Sequence, residues 1–89
     1  MKESYLEVTF RRGRPLAAYL YLPREPGEKS VRTSKLDAGM IVDFGQSGRP
    51  IGIEFTAPTK VTLPVLNHAL ADLGLAPLSD ADLEPLRAA

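Results

Sequence analysis

The hydrophobic pattern changes its period once along the chain, near Pro58. Residues 5–10, Tyr5-Leu6-Glu7-Val8-Thr9-Phe10, alternate polar and apolar, so Leu6, Val8 and Phe10 share one face and Tyr5, Glu7 and Thr9 the other. The run 16–22 alternates again, with Ala18, Leu20 and Leu22 opposite Ala17, Tyr19 and Tyr21. Arg11-Arg12-Gly13-Arg14-Pro15 between them reads as the turn of a hairpin. Residues 23–30 form the longest loop, whose two prolines, one glycine and four charges leave it nothing to bury. A polar strand follows over 31–36, where Arg32 and Lys35 suit an edge. Strands over 40–44 and 51–56 then flank the turn Gly45-Gln46-Ser47-Gly48-Arg49-Pro50.

Beyond Pro58 the spacing predicts a helix over 64–73, with Leu66, Ala69, Leu70 and Leu73 on one stripe. Thr62 is placed to cap it, Pro64 suits its first turn and Gly74 its end. Ser79 and Asp82 open a last short helix to about Arg87, and Leu83 and Leu86 are its only large apolar residues. It is expected to pack weakly and fray. Strands first and helices after give an α+β fold. The expected architecture is an antiparallel sheet of about five strands, with one C-terminal helix packed on it and a short terminal helix. Residues 1–89 read as a single domain, with a β-meander core over 5–57 and a helical extension over 58–89.

Composition narrows the chemistry. The 89 residues contain no cysteine and one histidine, which excludes thiolate metal sites, a cysteine nucleophile and a multi-histidine site within one chain. No run of about 18 apolar residues occurs. Glu3 and Glu7 interrupt the stretch that a secretory leader would keep apolar, which predicts a cytoplasmic protein. The net charge is zero, yet residues 1–35 carry eight basic and four acidic groups and residues 36–89 three basic and seven acidic ones. That asymmetry reads as internal complementarity, as a basic surface for an acidic partner, or as head-to-tail self-association.

The strands from 31 to 55 resemble a known family. Val31-Arg32-Thr33, Asp37-Ala38-Gly39-Met40-Ile41-Val42-Asp43-Phe44 and Gly48-Arg49-Pro50-Ile51-Gly52-Ile53-Glu54-Phe55 are similar to the small bacterial family called domain of unknown function 2283. Its members carry an "ivD" strand, a Gly turn and an "iGIE" strand. The upstream Ala18-Tyr19-Leu20-Tyr21-Leu22 resembles their aromatic strand, so the likeness spans about residues 5–57. The resemblance implies a small cytoplasmic protein with antitoxin-like or partner-binding roles and no established activity. Members often place acids in the first hairpin, where this chain has Arg11-Arg12-Gly13-Arg14.

Three constellations stand out. If Phe44 faces Ile51 across the turn, then Asp43 faces Gly52 and Ile41 faces Glu54, which puts Asp43 and Glu54 diagonally on one face, roughly 6–8 Å apart. Such carboxylates can do acid–base work or bind a hard cation, but paired polar-face acids more often form hydrogen bonds and ion pairs. Tyr5, Tyr19 and Tyr21 share that face, which reads first as an interface for a protein or a second copy, then as plain cross-strand packing, and last as a stacking surface for RNA bases, against which the acidic neighbours weigh. Arg11, Arg12 and Arg14 form the one basic cluster: a solvated tip, or a grip for an acidic partner or nucleic acid, with the zero net charge weighing against the last. His68 and Asp72 at i and i+4 read as a solvated helix pair, and Gly45–Gly48 as a hairpin turn rather than a phosphate loop. The expectation is a non-enzymatic interaction module without metal or cofactor, a homodimer with room for a small protein partner. The alternative is a nucleic-acid-binding regulator using residues 11–14.

Overall fold

The structure, a computed structural model, describes residues 4–87. Five strands form one antiparallel sheet: β1 (Tyr5–Arg11), β2 (Arg14–Tyr21), β3 (Arg32–Lys35), β4 (Met40–Phe44) and β5 (Pro50–Phe55). Helix α1 (Leu63–Asp72) follows, then a 3-10 turn over Ala81–Leu83 and the single-turn helix α2 (Glu84–Arg87). The α+β class and the element order match the periodicity, with strand ends within two residues of the expected ones.

The strand order is β1-β2-β5-β4-β3, so the sheet is not a meander. In a meander β3 would lie beside β2; here β5 takes that place. The reason is polarity. All four residues of β3 are exposed, so it suits an edge, whereas Ile51, Gly52, Ile53 and Phe55 of β5 are buried and suit the centre. One face of the sheet carries Leu20, Ile53 and Val42 in one cross-strand row, and Ala18, Phe55 and Met40 in the next. Leu66, Ala69 and Leu70 of α1 pack on it. The Thr62 hydroxyl accepts from the Val65 N–H at 3.4 Å, as a helix cap does.

Two expectations fail here. The last segment does not fray off the fold: Leu83 and Leu86 are buried in the same core as Leu20 and Phe55. The Asn67 side chain anchors the approach, donating to the Leu78 carbonyl at 3.0 Å and accepting from its N–H at 2.8 Å. At its start Asp82 is the acceptor, taking hydrogen bonds from the Ser79 N–H at 2.8 Å and hydroxyl at 3.0 Å. These bonds hold the Asp82 carboxyl below its usual range. Nor is the 23–30 loop idle. Arg24 and Glu28 are half-buried, and Glu28 accepts from the Ser47 hydroxyl at 2.9 Å across the 45–49 turn. That bond and the Glu25 N–H hold the Glu28 carboxyl below its ordinary range. No described helix is long and apolar enough to cross a membrane.

Candidate functional site

The sheet face opposite α1 is built from two cross-strand rows. One runs Glu7, Tyr19, Glu54, Ile41, Lys35 and the other Tyr5, Tyr21, Gly52, Asp43, Thr33. Asp43 pairs with Gly52 and Ile41 with Glu54, as the sequence predicts. Phe44 faces Pro50 rather than Ile51, because a bulge interrupts the ladder between Asp43 and Phe44. Tyr5, Tyr19, Tyr21, Asp43 and Glu54 therefore do share one face.

Gly52 is the keystone of that face. A Cβ there would lie 1.9 Å from the Tyr19 hydroxyl oxygen and 2.2 Å from Cζ, so the ring rests directly on the glycine backbone. This close approach lets the Tyr19 hydroxyl cross β5 and donate to Asp43 Oδ2 at 2.6 Å. The alternation of β2 gave the face of Tyr19 but not its reach over a neighbouring strand. Tyr5 and Tyr21, opposite one another on β1 and β2, stack at 4.4 Å between centroids and 13° between planes. Tyr19 meets Tyr21 edge-on at 4.7 Å.

Arg24 completes the cluster, and sequence reasoning missed it. Its guanidinium lies 5.4 Å from the Tyr21 centroid, and Nη2 donates to the Ile51 carbonyl. Only its position just past β2 hinted at this. The 11–14 tip is remote from the site: Arg11 and Arg14 pair at the far end of the β1–β2 hairpin and are exposed. His68 and Asp72 lie on α1, exposed, with Nε2 3.5 Å from Oδ2.

The Tyr19 hydroxyl is pushed up to about 12, first by burial and then by its hydrogen bond to the Asp43 carboxylate, with Arg24 pulling the other way. Burial also raises Tyr21, with Glu7 adding to it. A raised phenol favours the folded state only while it is neutral. Its contribution is complete below the ordinary value of 10.0 and is lost as pH rises through about 12. In a phenolate absorbance titration one of the three tyrosines should therefore ionise about two pH units late. Asp43→Asn should bring it part of the way back, since burial, the larger cause, remains. A titration unchanged by Asp43→Asn would contradict the Tyr19–Asp43 bond.

The arrangement leaves Asp43 engaged and Glu54 exposed. Among the described residues no group of three or more His, Cys, Asp or Glu could hold a metal ion. The face offers instead ordered aromatic rings between carboxylates: Tyr19 has exposed Glu7 on one side and exposed Glu54 on the other in its row. No family model, curated protein or solved structure matches the chain, so the functional reading rests on this geometry.

Proposed function

We propose that this chain is a small, non-enzymatic, self-associating interaction module of the cytoplasm, antitoxin-like, whose open sheet face takes up a basic segment of a second protein. One observation carries the reading. The Tyr19 ring is fixed by Gly52 and Asp43 and flanked across the strands by Glu7 and Glu54. A lysine or arginine laid on that ring gains the π face and a carboxylate on either side. Arg24 over Tyr21 supports this, being a guanidinium held on the adjacent ring. Phosphate groups would meet Glu7 and Glu54 on the same surface, which favours a cationic protein over nucleic acid. In this reading the chain belongs with the domain of unknown function 2283 family, whose "ivD" and "iGIE" strands correspond to the β4–β5 hairpin that supplies Asp43, Gly52 and Glu54.

The test uses a labelled peptide alternating Arg and Leu, titrated against the protein by fluorescence anisotropy. Saturable binding is expected, weakened at least about tenfold by Glu7→Lys/Glu54→Lys. This is the size of effect expected when one or more charge-assisted contacts turn repulsive. A Glu–Leu peptide should not bind. Equal binding of both peptides, or indifference to the double substitution, overturns the reading.

A further inference from the structure

The β1–β2 hairpin is longer than the sheet that holds it. β2 pairs with β5 only over Ala18–Tyr21, so residues 9–17 extend beyond the β5 ladder as a two-stranded arm, with the Pro58–Lys60 turn packed against β2. At about 3.3 Å per residue the arm extends roughly 13 Å. Its tip turns through Arg12 and Gly13, with φ 54° and 77°. No acidic residue occurs between positions 8 and 24. The apolar stripe of the core face also runs out along the arm and ends uncovered, with Phe10 44% and Leu16 53% exposed. Arg11, Arg12 and Arg14 surround a concavity of about 580 Å³ beside Leu16.

The complement of this tip is on the same molecule. Between α1 and the 36–40 corner lies an apolar groove of about 430 Å³, floored by Leu36, Met40, Val65 and Leu73. The exposed carboxylates of Asp37 and Asp72 also line it. Val65 is 38% exposed. The groove and the root of the arm are at one end of the sheet, since Ala18, Phe55 and Met40 form a single cross-strand row. They are two strands apart, roughly 10 Å. The arm continues along the strand direction, two strands to the side of its own groove and held straight by the β1–β2 ladder, so the groove it can fill without bending that ladder is on another copy. A two-fold axis at that end seats both tips at once and closes the assembly.

We propose that the arginine arm of one copy docks in the acid-lined groove of a second copy, and reciprocally, giving a two-fold dimer. Arg11 and Arg14 meet Asp37 and Asp72, while Phe10 and Leu16 cover the apolar floor. This gives the self-association of the reading above a place and a partner surface. It leaves the tyrosine face free, so uptake of a basic segment there and docking of the arm here can fail separately.

The experiment is sedimentation velocity with charge-swapped variants. The wild-type chain of 9.7 kDa is expected at about twice that mass, moving toward monomer as salt screens the exposed charges. Arg11→Glu/Arg14→Glu alone and Asp37→Lys/Asp72→Lys alone should both be monomeric. Mixed in equal amounts they should recover the dimer, because each arm then faces a groove of opposite charge. Leu16→Asp, at an exposed site, gives an independent disruption with at least a tenfold rise in the dissociation constant. Glu7→Lys/Glu54→Lys should leave the mass unchanged. A monomeric wild type overturns the proposal, as does a mixture that stays monomeric. Dissociation by Glu7→Lys/Glu54→Lys but not by the groove variant would place the arm on the tyrosine face instead. Salt-sensitive capture of a duplex oligonucleotide by a monomeric wild type would make the arm a phosphate grip, and also overturns it.

Discussion

Leu83→Ala is expected to lower stability by about 2–5 kcal/mol, the range for truncating a fully buried leucine. For a chain of this length that is a fall in Tm of roughly 10–30 °C. Leu83 is 1% exposed and sits in the core with Leu20, Phe55 and Leu66. Yet the segment that carries it is a 3-10 turn and one turn of helix, too short to be stable alone. Its order comes from the burial of Leu83 and Leu86 and from the two Asn67 bonds to Leu78. Val31→Ala, at a site 60% exposed, should cost less than about 0.5 kcal/mol and serves as the control. Thermal or urea unfolding of the three proteins checks both values. A Leu83→Ala protein as stable as the control would mean that the tail contributes nothing to the core.

Gly52→Ala is expected to cost about 1–3 kcal/mol, as overpacking does, and to dismantle the site at the same time. The added methyl would occupy the space of the Tyr19 ring, and the glycine is buried between β2 and β4. Tyr19 must swing out, its bond to Asp43 breaks, and its late ionisation returns toward the ordinary value. Tyr19→Phe is the informative partner, because it removes the hydroxyl and keeps the ring on the glycine. It should cost about 0.5–1.5 kcal/mol for the lost hydrogen bond. It should also abolish the late titration while leaving Gly52 packed. A Gly52→Ala protein that retains a late-ionising tyrosine contradicts the cradle.

The periodicities of 2 and 3.6 were enough to place β1, β2, β4, β5 and α1, because burial of one face dictates both patterns, whereas the wholly exposed β3 was legible only as a polar edge. They also put Tyr5, Tyr19, Tyr21, Asp43 and Glu54 on a common face, since alternation alone decides which side a strand residue takes. The strand order was not legible in the same way. It depends on which strand is most apolar on both faces, and the glycine in Ile51-Gly52-Ile53 was the clue that β5 is central. Arg24, Glu28 and Asn67 escaped notice because no periodicity governs a loop residue that folds back, or a helix amide that captures a passing backbone. The tail was undervalued for a related reason. Two leucines in eight residues look sparse until both are seen to be buried.

The most direct measurement is an amide chemical-shift map of the protein on titration with the Arg–Leu peptide. Shifts are expected at Tyr5, Glu7, Tyr19, Tyr21, Gly52 and Glu54, and their loss in Glu7→Lys/Glu54→Lys, whatever the peptide does at the α1 groove. No shifts on the tyrosine rows at saturating peptide, or shifts there that survive the double substitution, would contradict the central claim.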